Sequence, residues 1–417
     1  MNNENKVDAS FARPDIEHPT PARPLTGTRR WWILPLAILI AAAVPIGYLF
    51  QTVMHNRAIA AYEQQCQDLK LKKNWTELAK VAESWSKIEP GTADPWLYRG
   101  EAAEELSDWK SMIQHLDRIP RTDSRAVPAL LKKSIVEFEK LNRPFDGART
   151  CDQVLELNPQ VTAAHKQTVF FYMMTLQRKE ALRRVRRAIR LSRESPETYV
   201  FLVSVSWLNP ASLYHNNTIW LESDPESEIF EVARAMPVYT TLAKNDPKHA
   251  AVVEHIPTAE KLLEKYPHNP ELLSFFISLS ISNGELERVQ ELVQAFPRDI
   301  GETDPRYWRA RAWCEEALGD VDQAEKSLRR GFALDPYWWV IHFQLHDLLR
   351  RQQRLDDAAY FFKVYKLSKD LSTEITSLNK SPESLDEQNF CRKLLVLAEL
   401  IEDDEVVNTL KRRVVTQ

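Results

Sequence analysis

The side chains best equipped for chemistry lie between positions 178 and 193. Arg178, Lys179, Arg183, Arg184, Arg186, Arg187, Arg190 and Arg193 stand there against only Glu180 and Glu194. At helical spacing Arg183, Arg186, Arg187 and Arg190 share one face, while Ala181, Val185, Ala188 and Ile189 form the opposite, packing face. Such a stripe is either a solvated outer face or an anion site for an acidic stretch of the same chain, an acidic partner or lipid headgroups. His342 and His346 sit at i and i+4, the spacing of a zinc protease, but Phe343 stands where that chemistry needs a glutamate base. No third ligand is near, so no metal is expected. Cys66, Cys151, Cys314 and Cys391 are scattered singly, which gives neither a zinc-ribbon spacing nor a disulfide framework. Phosphate-loop, dinucleotide, nucleophile-elbow and kinase signatures are absent from the sequence. The reading is therefore of a protein that is not an enzyme, with no catalytic residue and no cofactor.

What must position these residues is helix. Nine glycines in 417 residues and long runs of Ala, Leu, Glu, Lys and Arg favour helix throughout, and no extended period-2 alternation argues for a sheet. With 44% hydrophobic residues the chain can bury a large core. The balance of 55 basic against 59 acidic residues, a net charge of −4, argues against a surface built for nucleic acid. No small-molecule substrate is expected either.

The helices come in a repeating pattern. Residues 305–336 read as a helix, a Gly319-Asp320 turn, a second helix and a closing Asp335-Pro336. Elsewhere a turn signal is followed three or four residues later by a packing residue: Asn74-Trp75 by Leu78, Asp108-Trp109 by Met112, Pro144-Phe145 by Ala148, Arg178-Lys179 by Ala181. After a gap come Val289, Ala324 and Ala358. These packing residues step by 34, 36 and 33 residues, then by 35 and 34. Glu89-Pro90, Asn158-Pro159, Ser195-Pro196 and Pro297 close second helices as Asp335-Pro336 does, because proline cannot continue one.

With Trp308, Ala312, Gly319, Ala324, Leu328 and Pro336 at their respective positions, the 305–338 unit resembles a tetratricopeptide repeat (TPR), whose period is near 34 residues. The likeness covers about two-thirds of the chain and implies an all-α fold, an α-α superhelix built as a TPR-like solenoid of helical hairpins. It also implies that the first helix of each unit lines a concave groove holding a protein partner. The usual groove positions fall on Lys133, Lys166, Phe170, Arg306, Arg309, Trp313, Phe343 and Arg350. Arg309 and Trp313, four apart, are expected to stack as a cation–π pair. The carboxylate clamp of chaperone-binding TPR proteins sets Asn four residues after Lys; Glu137 and Phe170 stand at those places here.

Between the two runs of repeats, 57–208 and 258–372, residues 209–257 carry Glu222, Asp224, Glu226, Glu228 and Glu231 and five prolines. They are expected to be an irregular acidic insertion with short helices, docked over the arginine stripe. Residues 373–417 are expected to form capping helices whose polar face, including Asp403 and Asp404, meets solvent. At the other end, residues 1–30 are Pro-rich and polar and are read as a disordered tail. Residues 31–54 run without a charged side chain, long enough to cross a bilayer of ~30 Å, with Trp31, Trp32 and Tyr48 toward the interfaces. The apolar run exceeds the ~7–15 residues of a signal-peptide core, so an uncleaved transmembrane helix is expected. Arg13, Arg23, Arg29 and Arg30 before it against Arg57 and Lys70 after it place the N-terminus in the cytoplasm and the repeats outside. The sequence thus reads as a single-pass membrane scaffold of bacterial envelope type that recruits a protein partner for envelope assembly or secretion. Its alternatives are a non-catalytic subunit of a membrane-associated enzyme complex and a self-assembling structural solenoid.

Overall fold

The computed structural model describes residues 33–204, 210–239, 258–378 and 387–416, with side chains in the first segment from Gly47 onward. These residues form helices and no strand: α1 (Ile33–Leu71), α2 (Trp75–Ile88), α3 (Asp94–Glu105), α4 (Trp109–Leu116), α5 (Ala126–Glu139), α6 (Pro144–Leu157), α7 (Thr162–Met174), α8 (Arg178–Arg190), α9 (Pro196–Val203), α10 (Pro210–Ser223) and α11 (Glu228–Pro237). After residue 258 follow α12 (Ala259–Lys265), α13 (Pro270–Asn283), α14 (Leu286–Ala295), α15 (Arg298–Gly301), α16 (Pro305–Ala317), α17 (Val321–Leu334), α18 (Trp339–Arg351), α19 (Leu355–Leu378), α20 (Glu387–Leu400) and α21 (Asp404–Thr416).

The chain divides into two compact units, residues 1–67 and 68–417. In the first, α1 presents Tyr48, Leu49, Phe50, Val53 and Met54 as exposed apolar side chains. Among the described residues no helix is long and apolar enough to cross a membrane. The expected tail 1–30, Trp31 and Trp32 lie outside the described residues, as do the side chains of 33–46.

In the second unit one local device recurs at most of the hairpins. The chain leaves a first helix through a residue in the left-handed region: Lys73, Ser107, Asn142 and Leu176, then Gly284, Gly319 and Gln353, and finally Glu402, with φ between 52° and 85°. Only two of these eight are glycine, although the conformation costs an L side chain about 1–2 kcal/mol. At several of these turns the next residue then caps the second helix. The side chains of Asn74, Asp108, Asp320 and Asp403 accept the backbone N–H of Glu77, Ser111, Gln323 and Val406, at 3.1–3.4 Å, satisfying donors the helix start leaves orphaned. Just inside each second helix comes the packing residue read from the repeat. Leu78, Met112, Ala148, Ala181, Val289, Ala324 and Ala358 are all buried.

The described part of residues 209–257, expected as an irregular insertion with short helices, holds α10 and α11 packed against each other as a hairpin, and residues 240–257 lie outside the described residues. Trp220 and Phe230 of this hairpin bury against Phe171 and Phe145, ring centroids 5.0–6.0 Å apart, and Val232 and Met236 against Leu262 and Leu272. The hairpin thereby continues the stack from α7 to α13. The C-terminal pair α20–α21 packs its apolar face into the stack, and of the polar face expected to meet solvent Asp403 is turned inward. Phe390, Leu394, Leu397, Val406 and Leu410 join Val185, Ile189, Tyr199 and Leu202 in one core. Packing therefore runs from α7 through α10, α11, α13, α14, α16, α17, α18, α19 and α20 to α21, and returns to α8.

Ala324 is fully buried where α17 meets its neighbours. Replacing it with glutamate puts an unpaired charge into that contact, at a cost on the order of several kcal/mol. Thermal unfolding followed by circular dichroism should show a lowered midpoint for Ala324→Glu; an unchanged midpoint would mean that the repeat register is misplaced.

Candidate functional site

The most heavily charged buried place in the second unit is where three helix starts meet. Glu271, one residue into α13, accepts Nε and Nη2 of Arg178 at 3.0 Å and Nη1 of Arg306 at 2.8 Å. Arg306 also donates to Asp304 (Nη2–Oδ2 2.6 Å), and Asp304 caps α16 by accepting the Arg306 backbone N–H at 2.8 Å. Burial alone would raise both carboxyls, but the charges of Arg178 and Arg306 on Glu271, and of Arg306 on Asp304, hold them below the usual range. Arg306 is correspondingly kept protonated despite its burial.

A second knot ties α8 to the C-terminal hairpin. Asp403 Oδ2 accepts Arg186 Nη1 at 2.5 Å and the Tyr337 hydroxyl at 2.8 Å, while its Oδ1 caps α21. The Arg186 guanidinium also lies over the Tyr337 ring, 5.7 Å from its centroid. Nearby Asp335 accepts the Tyr337 backbone N–H at 3.2 Å; burial pushes its carboxyl up to about 6 even with that bond and with Arg186 and Arg178 acting to lower it.

The arginine stripe consequently has other partners than the sequence suggested. Arg183 pairs with Glu180, Arg184 with Asp152, Arg186 with Asp403 and Arg190 with Glu405 at 3.4 Å, while Arg187 donates to the Leu155 carbonyl. The acids of α11 turn instead to the next layer of the stack. Glu228 accepts Asn269 at 2.8 Å, and Glu231 accepts Lys265 at 2.7 Å and the Tyr266 hydroxyl at 2.6 Å. Docking of the acidic segment over the stripe is thereby corrected: as a stacked hairpin, α10–α11 meets α12 and α13, and the stripe meets α21.

The expected groove residues are not equivalent. Arg306 is consumed in the buried network. Arg309 lies 5.8 Å from the Trp338 ring centroid, so its cation–π partner is Trp338 and not Trp313, which packs into the core around Val289 and Ala310. Lys133 is nearly covered and bonds Asp117 at 2.9 Å. Lys166 and Arg350 are exposed and pair with Glu197 and Asp347, at 3.0 and 2.9 Å. Phe170 and Phe343 are the aromatic residues left open, at 40% and 45% exposure. Phe343 belongs to a larger ring cluster. Tyr365 stands 5.2 Å from it, Phe362 and Trp339 each 6.1 Å from Tyr365, and the Lys369 ammonium lies 3.7 Å from the Trp339 centroid. Phe362, on α19, is 47% exposed. Sequence reasoning missed it because groove positions were sought on first helices; the Tyr360-Phe361-Phe362 run was the available signal.

The remaining candidates have structural surroundings. His342 is buried with Nδ1 2.9 Å from Ser368 Oγ, and burial pushes its imidazole down to about 4; His346 Nδ1 lies 2.9 Å from the Ala358 carbonyl. The four cysteines are unpaired and buried, with the Cys151 thiol pushed up to about 12 by burial. Among the described residues no group of three metal-ligating side chains occurs.

These features define the class: a stack of α-helical hairpins with a period near 34 residues, whose order closes on itself. No family model and no curated protein matches the chain. Solved structures to which it is similar include a tetratricopeptide repeat protein from Parabacteroides merdae, at 9% identity over 70% of this chain and 98% of that one, TM-score 0.31. Yeast Tom70 is similar at 15% identity over 85% and 80%, TM-score 0.26, and the Cut9–Hcn1 tetramer of APC/C at 12% over 86% and 79%, TM-score 0.30. The class rests on the packing of the chain itself.

Glu271→Gln leaves the half-buried Arg178 and Arg306 without their shared countercharge and should destabilise the second unit by about 1–3 kcal/mol, read as a lower denaturant midpoint in urea; an unchanged midpoint would make the network dispensable. Asp335 predicts a pH effect of definite sign. Its folded value of about 6 lies above the ~3.9 of an unfolded aspartate. The fold favours the protonated form, so this stabilisation is fully present below roughly pH 4 and is lost as pH rises through about 6. The stability of wild type relative to Asp335→Asn should therefore fall from roughly pH 4 to pH 7; a difference independent of pH would refute the assignment.

Proposed function

We propose that this protein is a membrane-anchored scaffold whose helical-hairpin stack holds a segment of a protein partner. The carrying observation is the open aromatic cluster of Phe343, Phe362 and Tyr365 on α18 and α19, bordered by Trp339 and Lys369. Rings exposed together in this way favour burial by a partner, since each aromatic ring withdrawn from water contributes about 1.5–3 kcal/mol. The buried carboxylates of Glu271, Asp304 and Asp403 are already paired with arginines, and the histidines and thiols lie in packed surroundings, which supports binding over catalysis.

Anchoring is supported by residues 31–54, free of charged side chains in the sequence, and by the exposed apolar side chains of Tyr48 to Met54 on α1. The flanking arginines support a cytoplasmic N-terminus and a repeat unit on the other side of the membrane. A role in envelope assembly or secretion fits that placement.

Two measurements check this reading. A photo-crosslinking residue in place of Phe343, introduced in native membranes, should give a discrete heterologous adduct that the same residue at the exposed Arg298 does not give. Identical products from both positions would remove the cluster from the binding surface, and an adduct with a second copy of the chain would favour the self-assembling alternative. A reporter active only outside the cytoplasm, fused after Gln417, should be active; activity of a cytoplasmic reporter instead would reverse the orientation.

A further inference from the structure

Along α8 lies a half-open cavity of about 420 Å³ lined by Arg183, Arg184, Arg186, Arg187 and Arg190, with Pro159 and Leu191. Its charge is not cancelled by its walls. The carboxylates that meet these five guanidiniums are Glu180, Asp152, Asp403 and Glu405. Among the described residues no carboxylate pairs with Arg187, whose contact is one long bond of 3.4 Å to the Leu155 carbonyl. The Arg190–Glu405 approach is also 3.4 Å, beyond the ~2.7–2.9 Å of a firm charge-assisted bond, and Arg190 is 68% exposed. Arg193, one turn on, bonds the neutral Gln160.

The firm pairs have a second consequence. Arg184 and Arg186 are fixed by Asp152 on α6 and Asp403 at the start of α21, so two walls of the cavity are held in place before any ligand arrives. Arg187 and Arg190 keep their forks available. Every cation lining the cavity is arginine, the side chain whose planar fork matches an oxyanion with two parallel bonds. Five guanidiniums around one cavity of this size suit a compact multivalent anion better than an extended acidic peptide, which would spread its charges along the helix.

We infer that this cavity binds a phosphate monoester dianion, contacted chiefly by Arg187 and Arg190 and framed by Arg184 and Arg186. The phosphate could be carried by a soluble molecule or by a phosphatidate headgroup in a bilayer; the recognising chemistry is the same. The cavity lies on different helices from the aromatic cluster of α18 and α19, so either assignment can fail without the other.

The test is titration of the full-length protein in detergent with inorganic phosphate and phenyl phosphate, and flotation of the reconstituted protein's binding to phosphatidate-containing against phosphatidylcholine-only nanodiscs. Wild type should bind at least one phosphate-bearing probe, and Arg187→Gln/Arg190→Gln should weaken that binding roughly tenfold or more. The exposed Arg298→Gln should bind as wild type does, and all three proteins should unfold at the same temperature. Binding of the soluble probes assigns a soluble ligand, and binding of phosphatidate discs alone assigns a lipid; both support the site. Absence of binding to every phosphate probe, equal binding by the double variant, or binding of polyglutamate that phosphate does not displace would overturn it.

Discussion

Everything in the second unit depends on one buried carboxylate meeting two guanidiniums. Glu271 receives Arg178 and Arg306 from helices 93 residues upstream and 35 downstream in the chain. A pair so separated repays the loop-closure entropy of bringing distant segments together only if its desolvation is well compensated. Here compensation comes from geometry. The Arg178 fork engages both oxygens, Arg306 adds a third bond, and the N-terminal dipole of α13 favours the negative charge. The starts of α8, α13 and α16 are thereby pinned to one point, and the hydrophobic layers between them have one relative placement in which to pack.

How much of this was legible from the sequence follows from how far apart the interacting residues are. The hairpin period was legible because Leu78, Met112, Ala148 and their successors recur within a local frame, and local periodicity is what packing of adjacent helices writes into a chain. The turns were less so. Only Gly284 and Gly319 advertise the left-handed residue, whereas Lys73, Leu176 and Gln353 adopt it because the flanking helices impose it. The return of α21 onto α8 was not legible at all. Asp403 looked like a solvated acid because nothing in its neighbourhood marks Arg186, 217 residues away, as its partner. For the same reason the groove positions carried over by resemblance divided into unlike fates: Arg306 buried in a network, Arg309 turned to Trp338, Phe343 left open.

The arginine helix shows how one periodic stripe can hold two roles. Its apolar face, Ala181, Val185, Ala188 and Ile189, is wholly buried. Its charged face is divided again, because Arg184 and Arg186 reach carboxylates on neighbouring helices while Arg187 and Arg190 are left with long contacts. Periodicity assigns residues to a face; only the neighbours that the fold brings alongside decide which charges on that face are spent on structure.

Closure of the stacking order also bears on how such a chain can change over time. An open array of helical hairpins tolerates gain or loss of a repeat, since a duplicated unit simply lengthens it. In this protein the C-terminal hairpin must arrive at α8 with Asp403 beside Arg186 and Tyr337, so a unit of about 34 residues added or deleted between α8 and α21 would carry α21 past its seat. The number of units within that circuit is thus fixed by the fold, and lineages of this chain should vary there in the sequence of their units far more than in how many units they hold, whereas the run α2–α6 outside it is free to lengthen or shorten.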